Sequence, residues 1–331
     1  MIRVIGQNAA PMMRRLVPMM ALAIGLAAPA GALAAGNGSA RPVPDATVKI
    51  TRIGHLHGGS ARIYSTVPVI GSVRPFVSGQ KVKVSFYVNG GRVERKTVRV
   101  RKGKRGGGEF RARIRIDRAG RYAVSARHVA TARQGGDSTV RKSWRVSFPA
   151  LHRGQCGDVV VGFKKAMRKL GYIVNSGRCF GEKTGRGVLA YRKVNRLARS
   201  SRAGKGLVKR VFAGKGAYRV LHPAAGEHVE APLSRQVLVF AKGDKPFAVY
   251  PVSSGKSSTP TVTGHFHFIR AEPGYNSHGM YYSFYFYGGY AVHGYESVPD
   301  YPASHGCIRT FIADQPEIFD RINYGESIFV Y

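Results

Sequence analysis

Acidic residues, cysteine and tryptophan are all scarce in this 331-residue chain: it has 17 Asp and Glu, three Cys and one Trp. Against the acids stand 53 Lys and Arg, a net charge of +36. Such a surface attracts polyanions over about a Debye length, ~8 Å at physiological ionic strength. Nucleic acid, anionic lipid and anionic cell-wall polymer all fit that description. Long apolar runs are also missing, except at the start. After Arg14-Arg15, "LVPMMALAIGLAAPAGALAAG" is uncharged and ends in Ala28-Pro29-Ala30 and Ala32-Leu33-Ala34. A basic flank, an apolar stretch and small residues at cleavage-like positions are the layout of a secretory signal peptide, expected over residues 1–35. An uncut membrane anchor is the competing reading. Pro18 and the Gly and Ala residues weaken a spanning helix and favour cleavage. An exported, extracytoplasmic protein has no chromosomal nucleic acid to meet, and touches a membrane only through the signal peptide before removal. Anionic polymers of a cell wall are then the expected partners of the charge.

Hydrophobic content of 44% is enough for packed cores. The pattern behind the signal divides into four segments. Residues 36–46 are a Gly-, Ser-, Pro- and Ala-containing linker. Residues 47–149 alternate at period two: Val82, Val84, Phe86 and Val88 share one face, and Phe110, Ala112, Ile114 and Ile116 another, with Lys and Arg opposite. Asn89-Gly90-Gly91 is a hairpin turn. "DRAGRYAVSA" is similar to the corner of an immunoglobulin-like β-sandwich, where a Gly turn leads a Tyr into a strand. In residues 150–215 the period lengthens: Val160, Phe163, Met167 and Leu170 share a helical face, Asp158 is the expected N-cap, and Gly171 ends the helix. A second helix follows "CFGEKTG", with Val188, Leu189, Tyr191, Val194 and Leu197 on its buried side. Strand patterns return in residues 216–331, with Gly243-Asp244 at a hairpin turn.

Export changes the reading of the cysteines, because an oxidising compartment pairs thiols. A Cys156–Cys179 bridge would staple the small helical domain, worth about 3 kcal/mol in the chain-entropy model. Cys307 is left over, within "HGYESVPDYPASHGCIRT". A thiol becomes a strong nucleophile when an imidazole takes its proton. His305 lies two residues away and His293 fourteen. Gly306 permits a tight turn, and the amides of Gly306 and Cys307 can face an oxyanion. Residue types alone leave two alternatives open: a zinc shell completed by Glu296 or Asp300, and a buried structural thiol.

Two resemblances narrow these choices. Residues 150–215 resemble a three-helix peptidoglycan-binding repeat at Gly157-Asp158, Leu170-Gly171-Tyr172, Phe180-Gly181, Thr184, Val188 and Tyr191. The chain departs from that pattern at Arg178-Cys179, where the family usually has an acid and a glycine. An ordinary helical spacer is the other reading. More specifically, His293-Gly294 followed by Ser304-His305-Gly306-Cys307-Ile308-Arg309 is similar to the signature of L,D-transpeptidases with the YkuD-type catalytic domain. Ser254-Gly255 and "TPTVTGHF" (residues 259–266) resemble the family's upstream segment, with Val262 and Thr263 as extra residues. The likeness runs from about residue 228 to 331.

Together these readings give a mainly β protein with a small α module: an immunoglobulin-like β-sandwich, a small helical domain and a C-terminal β catalytic domain. The resemblance to L,D-transpeptidases makes that last domain YkuD-type. It makes Cys307 the nucleophile and His293 the base, with the Gly294 carbonyl orienting the imidazole and His305 supporting the site through its ring and backbone N–H. Gly306 and Cys307 amides would form the oxyanion hole. Ser304, Arg309, Tyr281 and Tyr282 are the expected substrate contacts, the tyrosines as part of a flap with Phe284 and Tyr285. The implied activity is a cysteine acyl-enzyme reaction forming 3→3 cross-links between peptidoglycan stem peptides, with no cofactor and no metal. An L,D-carboxypeptidase using water, or a wall-binding protein without activity, would carry much of the same composition.

Overall fold

The computed structural model describes residues 43–103 and 106–331. The signal peptide expected over 1–35 and most of the linker expected over 36–46 lie outside the described residues. Among the described residues no helix is long and apolar enough to cross a membrane.

Ten strands come first: β1 (Thr47–Ile53), β2 (Ser60–Arg62), β3 (Thr66–Arg74), β4 (Lys81–Val88), β5 (Gly91–Arg99), β6 (Arg101–Lys102), β7 (Gly108–Arg115), β8 (Tyr122–His128), β9 (Asp137–Ser138) and β10 (Lys142–Ser147). One sheet runs β1-β3-β7-β6; the other runs β2-β10-β8-β4-β5, with β9 beside β8. Alternation explains the core between them. Val82, Val84 and Phe86 from one sheet, and Phe110, Ala112 and Ile114 from the other, are all buried. Tyr122 marks the corner: its ring stacks on Trp144 at 5.9 Å and its hydroxyl donates to Asp117 Oδ1 at 3.2 Å. The architecture is the immunoglobulin-like sandwich expected.

Three helices follow: α1 (Asp158–Lys169), α2 (Glu182–Val194) and α3 (Lys205–Phe212). Val160, Phe163 and Met167 are buried on α1, Val188 and Tyr191 on α2, Leu207, Val208 and Val211 on α3. The N-cap of α1 is Gly157, not Asp158. Asp158 is the first helical residue, and its carboxylate pairs with Arg115 and Arg178 instead of capping. Cys156 and Cys179 are disulfide-bonded. Fully buried Lys164 donates to the carbonyls of Ser176, Gly177 and Cys179 at 3.0, 2.7 and 2.9 Å, so the bridged loop closes over a satisfied ammonium.

The C-terminal domain contains β11 (Glu227–Ala231), β12 (Val237–Lys242), β13 (Lys245–Pro251), β14 (Gly264–His267), β15 (Arg270–Tyr275), β16 (Tyr281–Tyr287), β17 (Tyr290–Tyr295), β18 (Ile308–Phe311), α4 (Gln315–Arg321) and β19 (Ser327–Val330). Its sheets run β13-β12-β11-β19-β14 and β15-β16-β17-β18. Leu238, Phe240, Tyr250 and Ile328 pack with Phe268, Phe284, Val292 and Ile308 in one core. The fold is mainly β, with one small helical domain between the two β domains. That core anchors β17 and β18, the strands that bring His293 and Cys307 together.

Candidate active site

Strands β17 and β18 pair in parallel, with His293 opposite Arg309 and Gly294 opposite Thr310. A parallel pair needs a crossover connection, and here it is the loop that ends in Ser304-His305-Gly306-Cys307. His293 is 2% exposed. Its Nδ1 lies 2.9 Å from the Gly294 carbonyl oxygen. A carbonyl only accepts, so Nδ1 carries the hydrogen and Nε2 keeps its lone pair. Burial pushes the His293 pKa down to about 4; the Gly294 carbonyl opposes this and the Arg309 charge adds to it. The imidazole is therefore neutral at pH 7. Burial pushes the half-buried Cys307 thiol up, while the Ala291 backbone and the Arg309 charge pull the other way. The thiol donates to the Gly289 carbonyl at 3.5 Å. No hydrogen bond joins it to His293 among the described residues. The resting pair is two neutral groups.

The turn before the cysteine is braced from within. Gly306 has φ 120°, and a Cβ there would lie 2.7 Å from the Tyr290 ring, so both backbone and neighbour require glycine. Buried Ser304 spans the turn: its Oγ donates to the Cys307 carbonyl and accepts from the Gly306 N–H at 3.1 Å. This revises the expected oxyanion donors. The Gly306 amide is committed to Ser304, whereas the N–H groups of His305 and Cys307 have no partner among the described hydrogen bonds. The His305 ring is exposed, with Lys256 Nζ 3.4 Å from its Nε2, and stands at the rim.

The upstream segment clasps this turn. Ser253 and Arg309 exchange backbone hydrogen bonds at 3.0 and 2.9 Å, and the Ser304 N–H donates to the Ser254 carbonyl at 2.9 Å. The Ser304 carbonyl accepts from the Lys256 N–H and the Thr259 hydroxyl, both at 3.0 Å. At Gly255 a Cβ would sit 2.3 Å from the Thr259 carbonyl oxygen.

A cleft of about 320 Å³ opens over the pair, lined by His293, Ser304, His305, Cys307 and Arg309, and by His278, Met280 and Tyr295. The Arg309 guanidinium lies 4.1 Å from the Tyr295 ring centre. Tyr281 and Tyr282 are not on this cleft, a correction to the expected substrate contacts. The ladder between β16 and β17 breaks between Tyr281 and Phe284, and Tyr282 takes φ 50°. Its ring then packs edge-on against Phe319 of α4 at 5.1 Å, and Tyr281 packs on Tyr275 at 4.5 Å. Phe284 and Tyr285 are buried, so they pack the sheet and leave the cleft to the β15–β16 turn, through His278 and Met280. Among the described residues no three His, Cys, Asp or Glu side chains gather as a metal shell. Asp300, one of the acids a zinc shell would need, faces Arg199.

Residues 226–330 match the family model of the YkuD L,D-transpeptidase catalytic domain. The C-terminal domain is a YkuD domain. The crystal structure of an L,D-transpeptidase from Xylanimonas cellulosilytica is similar, with a TM-score of 0.51 and 27% identity over 55% of this chain and 98% of that one. A mutant L,D-transpeptidase from Enterococcus faecium aligns at 24% identity over 38% of this chain and 62% of that one, with a TM-score of 0.29. An L,D-transpeptidase from Mycobacterium smegmatis aligns at 12% identity over 86% and 99%, also at 0.29. No curated protein matches the chain.

Behind the pair, the YkuD domain carries a buried polar layer with no signature in the sequence. Gln315 Nε2 donates to the Tyr282 carbonyl at 2.6 Å and approaches the Val292 carbonyl at 3.4 Å. Its Oε1 faces the Thr310 hydroxyl, which is also 3.1 Å from the His293 carbonyl. That hydroxyl has one hydrogen and serves one acceptor at a time. At Gly294 a Cβ would lie 3.0 Å from Gln315 Cβ, so the histidine's orienting residue has to be small. Thr310 alone lay within the recognised motif region; Gln315 is a generic residue in a short helix.

Proposed function

We propose that this protein is an exported peptidoglycan L,D-transpeptidase that makes 3→3 cross-links through a Cys307 thioester. The observation that carries the reading is the fixed tautomer of His293: Nδ1 is held by the Gly294 carbonyl, and the ring lines the same cleft as the single free thiol. Cys307 Sγ gives its proton to His293 Nε2 and attacks the carbonyl carbon of the third stem-peptide residue. The oxyanion is met by the His305 and Cys307 N–H groups. Collapse breaks the peptide bond; the departing D-alanine amine takes the proton from His293, and the acyl group stays on sulfur. An amine of a second stem attacks the thioester, passes a proton to His293, and the thiol is restored. Arg309 offers its guanidinium to a stem-peptide carboxylate. The charge of +36 supports affinity for anionic wall polymers outside the cytoplasm.

Purified protein incubated with tetrapeptide-stem fragments should yield cross-linked dimers lacking one D-alanine, resolved by mass. Tripeptide monomers alone would make it an L,D-carboxypeptidase with water as acceptor. No product of either kind would overturn the reading.

A further inference from the structure

Cations of the helical module reach across to acceptors of the YkuD domain in a row. Lys183 Nζ meets Glu317. Arg186 binds both carboxylate oxygens of Asp314, Nε at 2.5 Å and Nη2 at 2.6 Å. Lys193 Nζ donates to the Val252 carbonyl at 2.8 Å, one residue before the Ser253 backbone that pairs with Arg309. All three lie on α2 at spacings of three and seven, which puts them on one face of the helix.

Arg186 is the member that leads to the catalytic pair. Its ion pair is shut away from water, with side chains 13% and 1% exposed, and the guanidinium lies over the Phe311 ring at 5.4 Å. Asp314 is the N-cap residue of α4, yet its side chain makes no capping hydrogen bond. Both carboxylate oxygens go to Arg186, so the guanidinium locates the start of α4. The next residue is Gln315, whose amide holds the Tyr282 and Val292 carbonyls and faces Thr310 at the His293 carbonyl.

We propose that Arg186 is a positioning residue for His293: through Asp314, Gln315 and Thr310 it fixes the strand that presents the imidazole, which makes the helical module a working part of the active site. This rests on the reading of His293 as the base. A misplacement of about 1 Å in a catalytic group costs on the order of 100-fold in rate. The cleft residues His278 and Met280 stand in the β15–β16 turn, outside this relay, and Arg309, although beside Thr310 on β18, has its backbone held separately by Ser253, so substrate binding changes less than the base does. The signature is thus a loss in kcat with little change in KM. A pair that merely glued two domains would lower stability and leave kcat per folded molecule alone.

The test uses the full chain with Arg186→Ala, Arg186→Lys and Asp314→Asn, and reads kcat, KM and the rate at which iodoacetamide alkylates Cys307 at neutral pH. Arg186→Ala and Asp314→Asn should lose about tenfold or more in kcat and in alkylation, with KM within about twofold. Arg186→Lys should recover part of the loss, because it keeps the charge without the two-pronged geometry. Should Arg186→Ala not fold, Asp314→Asn and Arg186→Lys carry the test, since both keep size and hydrogen-bonding groups. Folded variants with wild-type kcat and alkylation overturn the proposal. His293→Ala separates the two claims: if it alkylates and turns over like wild type, the assignment of the base has failed. If only the Arg186 and Asp314 variants are silent, the brace has failed and the base stands.

Discussion

Acidification should destabilise the folded protein through His293, by an amount the site itself sets. In an unfolded chain the imidazole titrates near 6.5; buried in β17 it is pushed down to about 4. Between those values the unfolded state takes up a proton that the folded state refuses. Stability from this group is therefore fully present above about pH 6.5 and falls by about 1.4 kcal/mol per pH unit on the way down. It levels off below about pH 4, a total of about 3 kcal/mol. Other histidines and the carboxylates titrate over the same range, so the comparison is with His293→Gln, which removes the titration and keeps a polar side chain. Urea unfolding at pH 7, 5.5 and 4, followed by tyrosine fluorescence, gives the loss for each protein. Wild type should lose about 3 kcal/mol more than the variant. Activity should agree: the acid limb of kcat/KM should fall near pH 4 and not near 6.5, because protonation of Nε2 removes the acceptor for the thiol proton. Equal pH slopes in the two proteins would refute the account of a buried, neutral imidazole.

Further outcomes follow from the neighbouring geometry. Cys307→Ser should fold like wild type and lose turnover, since a hydroxyl at neutral pH is a far weaker nucleophile than a thiol; mass analysis of stem fragments checks this. Ser304→Ala strips the turn of two hydrogen bonds, and should cost about 1–3 kcal/mol in urea unfolding together with a fall in kcat. In Gly306→Ala, φ 120° and the Tyr290 ring at 2.7 Å both oppose the new methyl; about 1–3 kcal/mol of strain and at least a tenfold loss of Cys307 alkylation are expected. Under non-reducing denaturation one reactive sulfur should be counted, and reducing the Cys156–Cys179 bridge should cost the helical module about 3 kcal/mol in thermal melts.

The legible parts of the chain were those where chemistry and period coincide locally. Alternation at 82–88 and 110–116 set out a sandwich because each strand buries one face. The spacing of Val160, Phe163 and Met167 did the same for α1. His293-Gly294 and Ser304 to Cys307 were readable because they fall within one short string that resembles the L,D-transpeptidase signature; residue types alone had left a zinc shell and a structural thiol open. Long-range dependence hid the rest. Tyr281 and Tyr282 looked like flap residues in an alternating strand, but the ladder break turns one ring onto α4 and the other onto β15. Asp158 looked like a cap, yet two arginines compete for its carboxylate. Gln315 and Arg186 carry no motif; their roles exist only once α4 and α2 have docked.

The parallel pairing of β17 with β18 divides the site by tolerance to change in length. His293 and Arg309 are tied rung to rung by the ladder, and the turn from Ser304 to Cys307 is tied to Ser254, Lys256 and Thr259. The stretch between them, from Glu296 to Ala303, is the crossover that a parallel pair obliges the chain to make, and both of its ends are fixed by other segments. Insertions there cost little closure entropy, since doubling a loop adds only about 0.6 kcal/mol. The second half of the crossover is held, with Asp300 against Arg199, the Tyr301 carbonyl on the Ser253 hydroxyl and the Ala303 N–H on the Ser254 carbonyl, so a designer can graft new peptide into 296–299 and leave the catalytic turn in place. The same insertion within 304–307 would destroy the catalyst.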